Sequence, residues 1–202
     1  MTVSLTQKEA VKEILFILSD LMKTPQEDVF NDLADGTIQR TLNELIQMSS
    51  LTIENIEWVE VPQSFSDMQQ LYQKCFTGIV KPFAAPIESI YKPWTIDPSN
   101  SIMGGRKGLI MGDPAHHILY LLDELQLELP PEYSTTPDHL AILLELAAYF
   151  VENGSQETLD QFITDHFDWL DDFKAELAKV DQSQFFLQVV ETIASVIHAN
   201  TN

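Results

Sequence analysis

Apolar residues recur every three or four positions along almost the whole chain. Val11, Ile14, Leu15, Leu18, Leu21 and Met22 follow Thr6-Gln7-Lys8-Glu9, a Thr-x-x-Glu capping box, and predict a first helix. Thr24-Pro25-Gln26-Glu27 reads as a second box, opening a short helix through Val29, Phe30 and Leu33 that stops at Asp35-Gly36. A third helix is expected from about Thr37 to Met48, through Ile38, Leu42, Leu45 and Ile46. Residues 51–63 fit neither period; Ile56, Trp58 and Val59 suit a strand or a loop packed on the core. From Ser66 a helix carries Met68, Leu71, Tyr72, Cys75 and Phe76, with Gly78 as its stop.

Residues 79–112 break the pattern with Pro82, Pro86, Pro93, Pro98, Gly104, Gly105, Gly108 and Gly112, which predicts a long functional loop or hinge. Helix resumes at Asp113-Pro114, a cap followed by proline, through Ile118, Leu121, Leu122 and Leu125. Beyond Pro130-Pro131, Thr136 suits an N-cap and Pro137 the first helical position. Asp138 then lies at the positive end of the helix dipole, beside His139. Leu140, Leu143, Leu144, Ala147, Phe150 and Val151 form a core-facing stripe that ends at Asn153-Gly154. Three more helical stretches run from Ser155 to Asp165, Asp168 to Val180 and Asp181 to Ala199. The pattern predicts one all-α domain over residues 1–202, of about nine to ten helices, with residues 79–112 joining N- and C-terminal helical groups. Such a hinge would also let a monomer exchange one helical group with a second copy, giving a domain-swapped dimer.

Charge narrows the partners. The 202 residues carry a formal charge of -20, with a pI near 4.3. Residues 1–112 hold 14 acids and 9 bases, a net of -5; residues 113–202 hold 17 acids and 2 bases, a net of -15. Nucleic acid and anionic membranes are thereby disfavoured, and basic partners expected. The single cysteine, Cys75, excludes an internal disulfide and a cysteine-based zinc site, and its apolar neighbours imply a buried thiol. The first residues show no basic segment followed by an apolar one, and no apolar run is long enough to span a bilayer, so the expected location is cytoplasmic.

Catalytic patterns are sparse. Asp113, His116, His117, Asp138 and His139 offer metal-ligand chemistry, the basis of an alternative reading as a small metal-dependent enzyme. Adjacent His116 and His117 would point about 100° apart on a helix, and neither His-x-x-x-His nor His-Glu-x-x-His occurs. Met103-Gly104-Gly105-Arg106-Lys107-Gly108 is Gly-rich and basic, but lacks phosphate-loop spacing and a preceding strand. No Gly-x-Ser-x-Gly elbow is present. The expectation is therefore no catalytic residue, no metal and no cofactor. Two recognition elements remain: Pro86-Ile87-Glu88-Ser89-Ile90-Tyr91 with Trp94 nearby, and the Asp138-His139 turn.

Their order along the chain is distinctive. Tyr72-x-x-Cys75-Phe76-x-Gly78, then Pro86-x-Glu88-Ser89-Ile90-Tyr91, then Met103-Gly104, then Pro137-Asp138-His139-Leu140 with Glu145-Leu146, resembles the TorD/DmsD family, of which NarJ-type proteins are more distant members. Thr136 departs from the acid often found before Pro-Asp-His in that family, and Cys75 from a typical leucine. The resemblance implies an all-helical cytoplasmic chaperone for a molybdopterin oxidoreductase, binding the twin-arginine leader of its precursor before cofactor insertion and export. It further implies a peptide groove lined by Tyr72, Cys75, Phe76, Pro86, Glu88, Ser89, Tyr91, Asp138 and His139. Two arginines followed by an apolar stretch call for carboxylates beside an aromatic trough, with Asp138 and Glu88 as the candidate carboxylates. An adaptor that binds only the folded redox subunit is the other alternative.

Overall fold

A computed structural model describes residues 6–49, 51–97, 99, 104–180, 182 and 184–200. Among these are ten α-helices: α1 (Gln7–Met22), α2 (Glu27–Ala34), α3 (Thr37–Met48), α4 (Phe65–Phe76), α5 (Glu88–Tyr91), α6 (Asp113–Glu124), α7 (Leu140–Asn153), α8 (Gln156–His166), α9 (Leu170–Leu177) and α10 (Gln184–Ala199). A 3-10 turn spans Pro131–Tyr133, and the only extended pairing among the described residues is one isolated bridge. The all-α reading stands.

α7 organises the packing. Ten of its fourteen residues are buried, including Ala141, Ile142, Leu146 and Ala148 outside the stripe read from the sequence. A helix apolar on every side belongs in the middle of a core, and α1 and α8 pack against it. α1 runs along α7, where alanines and Ser19 keep the seam narrow. Ser19 Oγ donates to the Ala141 carbonyl at 3.0 Å and to Glu145 Oε1 at 3.3 Å, and Lys23 Nζ meets Glu145 at 2.6 Å. A buried leucine or phenylalanine contributes about 1.5–3 kcal/mol here, so this seam joins the first and second halves of the chain firmly.

Several helix starts differ from the sequence reading. The Thr6 box forms as expected, with reciprocal bonds to Glu9. The Thr24 box does not: α2 begins at Glu27 with Gln26 as N-cap, so Glu27 sits one residue past the cap and cannot close the box. α6 is capped by Gly112 rather than Asp113, whose carboxylate instead accepts the Ile96 N–H at 3.1 Å. α7 starts at Leu140, not near Pro137, and its N-cap is His139, not Thr136. Residues 136–139 form a turn, the Thr136 carbonyl accepting the His139 N–H at 3.1 Å. The proposed start of α10 at Asp181 lies outside the described residues; the helix runs from Gln184.

Residues 51–63 prove to be an irregular segment packed on the core through Ile56 and Trp58. Side-chain amides substitute for a sheet partner. Asn43 pairs with both backbone groups of Ile56, Gln39 accepts the Trp58 N–H and Gln188 the Val59 N–H. The described residues of the 79–112 segment contain one helical turn, α5, which packs on α6. Backbone bonds clamp its far end: Trp94 N–H to the Arg106 carbonyl at 2.7 Å, Asp113 N–H to the Trp94 carbonyl at 2.7 Å, and Gly108 N–H to the Ile90 carbonyl at 2.8 Å.

Gly112 is needed for that closure. A Cβ built there would stand 2.7 Å from the Trp94 carbonyl oxygen and 3.1 Å from its Cα. Gly112→Ala should therefore cost about 1–3 kcal/mol through backbone displacement. Urea unfolding checks this; a change under half a kcal/mol would mean that the clamp is slack.

Candidate functional site

The motif segments meet at the start of α7. Ile87 and His139 form the isolated antiparallel bridge, with Glu88 N–H donating to the Asp138 carbonyl at 3.1 Å and Leu140 N–H to the Pro86 carbonyl at 2.9 Å. This pairing explains the late start of α7: His139 is held extended by the bridge, and the Leu140 N–H, which has no partner inside the first helical turn, is free to bond Pro86. Asp138 Oδ2 accepts the Ser89 N–H at 2.7 Å and the Ser89 hydroxyl, and Ser89 Oγ in turn accepts the Gly112 N–H at 3.2 Å. Asp138 Oδ1 is buried with no hydrogen-bond partner among the described residues. His139 Nδ1 accepts the Ala141 N–H at 3.1 Å, capping α7, and burial lowers its pKa to about 4.

Glu88 holds a second polar chain. Its Oε1 meets Lys92 Nζ at 2.9 Å, and its Oε2 lies 2.8 Å from His166 Nδ1. His166 Nε2 lies 2.8 Å from Nδ1 of His117, whose exposed ring stacks on that of His166. Lys92 also reaches Asp168 at 2.7 Å and the Asp165 carbonyl. Burial pushes the Glu88 carboxyl upward, against the opposing pull of His166 and Lys92. Burial would lower Lys92, but the Glu88 and Asp168 carboxylates outweigh it and hold the ammonium above its ordinary value. Burial and the neighbouring His166 lower His117.

The aromatic residues form one packed cluster. Tyr72 lies edge-on to Phe76 at 5.2 Å, and Phe76 to Phe186 at 4.6 Å. Phe76 and Tyr91 both approach Phe173, and Tyr91 stacks on Trp169 at 5.3 Å. The Tyr91 hydroxyl donates to the Ala85 carbonyl, and burial raises its pKa. Cys75 is fully buried and its thiol is pushed up to about 12, as its apolar neighbours implied.

The structure thus brings the predicted residues into one connected interior. Tyr72, Cys75, Phe76, Pro86, Glu88, Ser89, Tyr91, Asp138 and His139 are all buried. The expected open trough walled by Tyr72, Phe76 and Tyr91 is corrected: in this conformation the three rings are buried, packed against Phe173, Phe186 and Trp169. Nor do Asp138 and Glu88 offer free carboxylates to solvent in this conformation. Two clefts on the surface are lined by none of the nine. One, of about 970 Å³, lies between residues 51–58, α10 and the ends of α1, α7 and α8. The other, of about 630 Å³, lies on the outer side of α4 beside the exposed Ile79 and Val80.

The five residues of the metal reading go separate ways. Asp113 holds Ile96, His116 contacts the Gly112 carbonyl, His117 joins His166, and Asp138 and His139 belong to the bridge. Among the described residues no group of three or more His, Cys, Asp or Glu is placed to hold a metal ion. In the Gly-rich turn, Met103 lies outside the described residues, and Gly105 and Arg106 pair with the backbone of Thr95 and Trp94. No described helix is long and apolar enough to cross a membrane.

His166, Lys92 and Ser19 escaped the sequence reading. His166 did carry a signal, since it continues the Leu159, Phe162, Ile163 stripe and so lies on the buried face of α8. Lys92 carried a signal too, standing four residues after Glu88 at ion-pair spacing; nothing local marked Ser19, whose partners Ala141 and Glu145 are remote in sequence.

A family model described as nitrate reductase delta subunit matches residues 23–183, most of the chain, including the Ile87–His139 bridge and the start of α7. The chain belongs to this family. The resemblance read from the motif order is borne out at that level. A protein from Shewanella piezotolerans named chaperone protein TorD is 26% identical over 118 residues, which are 58% of this chain and 53% of that relative. The chain therefore spans about half the length of the relative it matches. For this family member, the geometry means that the Pro86–Tyr91 and Pro137–Leu140 motifs lock a fold by joining the central segment to the central helix.

Proposed function

We propose that this chain is a cytoplasmic chaperone in the maturation of a molybdopterin-containing oxidoreductase. It receives the precursor, through its basic twin-arginine leader, its apo-enzyme body or both, and keeps it from export until the metal cofactor is in place. The cofactor is the client's cargo. The observation that carries the reading is family membership across residues 23–183, and a relative named as a chaperone supports it.

The physics is compatible. A chain of net charge -20 attracts a doubly cationic leader, speeding encounter in a salt-dependent way. The buried motif residues act as the frame that fixes the surface shape, and the client binds the surface that they support. Holding and release need no covalent step: the client leaves when its own folding buries the shared surface.

Calorimetric titration with a synthetic leader tests this. Binding is expected to weaken about tenfold when both arginines become alanine, and to weaken with added salt. Equal affinity for both peptides would count against leader recognition. Undiminished capture of a leader-deleted client would shift the reading to the enzyme body alone.

A further inference from the structure

The larger cleft has three properties that no residue of the motif set explains. The apolar side chains Val11, Ile56, Trp58 and Phe150 lie at its base, mostly buried, with only their edges reaching the cleft. Its rim carries the exposed carboxylates Glu54, Glu57 and Glu191, none in an ion pair with a described residue, against a single lysine, Lys8. Its edge is a stretch of unsatisfied backbone: the N–H groups of Thr52, Ile53, Glu54 and Asn55 make no hydrogen bond with a described residue. Burial alternates along that edge, with Leu51 and Ile53 half-buried and Thr52 and Glu54 outward, as in an extended segment.

We propose that this cleft is the docking surface for an extended peptide in which two arginines precede an apolar stretch. The guanidinium groups pair with Glu54, Glu57 and Glu191, the apolar side chains lie toward Trp58 and Phe150, and the peptide backbone bonds along residues 52–55. Unpaired backbone beside a trough is what strand addition uses, and arginine is the cation that best matches carboxylates. The second cleft suits such a peptide less: its acids are Glu60 and Asp67, and Lys74 stands among them. The proposal rests on the leader-binding reading above and names its surface.

The test uses the full chain and a synthetic twin-arginine leader with a benzophenone two positions after the second arginine. Wild type is expected to cross-link within residues 51–58 or α10. The variant Glu54→Gln/Glu57→Gln/Glu191→Gln, altered only at exposed side chains, is expected to bind about tenfold more weakly at low salt, with the difference shrinking as salt rises. Ile79→Asp/Val80→Asp, in the other cleft, is expected to bind like wild type. Cross-links within residues 67–80, or wild-type affinity in the triple variant, would overturn this site while leaving leader binding intact. Failure of the wild type to distinguish the leader from its double-alanine form would sink both.

Discussion

Glu88→Ala is expected to lower the unfolding free energy by about 3–5 kcal/mol, because it removes the acid that two buried or half-buried bases share. Glu88 is fully buried between Lys92 and His166. Lys92 keeps Asp168 and the Asp165 carbonyl when Glu88 goes, so the damage falls mainly on His166, which loses its buried carboxylate. At about 2–4 °C per kcal/mol for a chain of this size, the melting temperature should drop by roughly 10 °C. Glu88→Gln keeps a hydrogen-bonding side chain of the same shape and should lose less. His117→Ala, at the solvent end of the chain, should lose least. Urea unfolding of the three variants reads the order directly; a Glu88→Ala loss below 1 kcal/mol would mean that the polar chain rearranges without it.

The second large effect concerns acid. His139 is buried, and its Nδ1 must be unprotonated to accept the Ala141 N–H. Its folded pKa, near 4, lies below the ordinary 6.5 of the unfolded chain. The unfolded state therefore takes up a proton first. Stability from this residue is complete above pH 6.5 and declines as pH falls toward 4, by about 3 kcal/mol over the window. Glu88 works in the opposite sense, since a carboxyl raised by burial stabilises the fold more as it becomes protonated. The difference between wild type and His139→Asn isolates the histidine: asparagine still caps a helix but does not titrate. Below pH 6.5 the stability of wild type should fall more steeply than that of His139→Asn. Parallel pH profiles would show that the imidazole is not the titrating cap.

Periodicity carried the fold. Ile38, Leu42, Leu45 and Ile46 placed α3 at its observed bounds, because an amphipathic stripe with polar flanks has one stable conformation. Thr6 was legible as a cap because a cap bond reaches only three residues. Thr136 and Asp113 misled for the same reason in reverse. Their neighbours' backbones were claimed by partners far along the chain, Pro86 and Glu88 in one case and Trp94 in the other. The motif residues lie in one buried region of the fold, but their burial was not legible from their order along the chain. Tyr91 beside Trp94 reads as an aromatic surface until Trp169 and Phe173, some eighty residues later, cover it.

By itself, then, the sequence determined the helical class, most helix bounds, the acidic field and the family. These follow from local spacing, composition and motif order, none of which needs a partner distant in the chain. Only the tertiary structure decided which carboxylates are buried, that His139 rather than Thr136 caps the central helix, and where the surface opens. Each of those depends on long-range contacts, and a side chain's accessibility belongs to whatever packs over it.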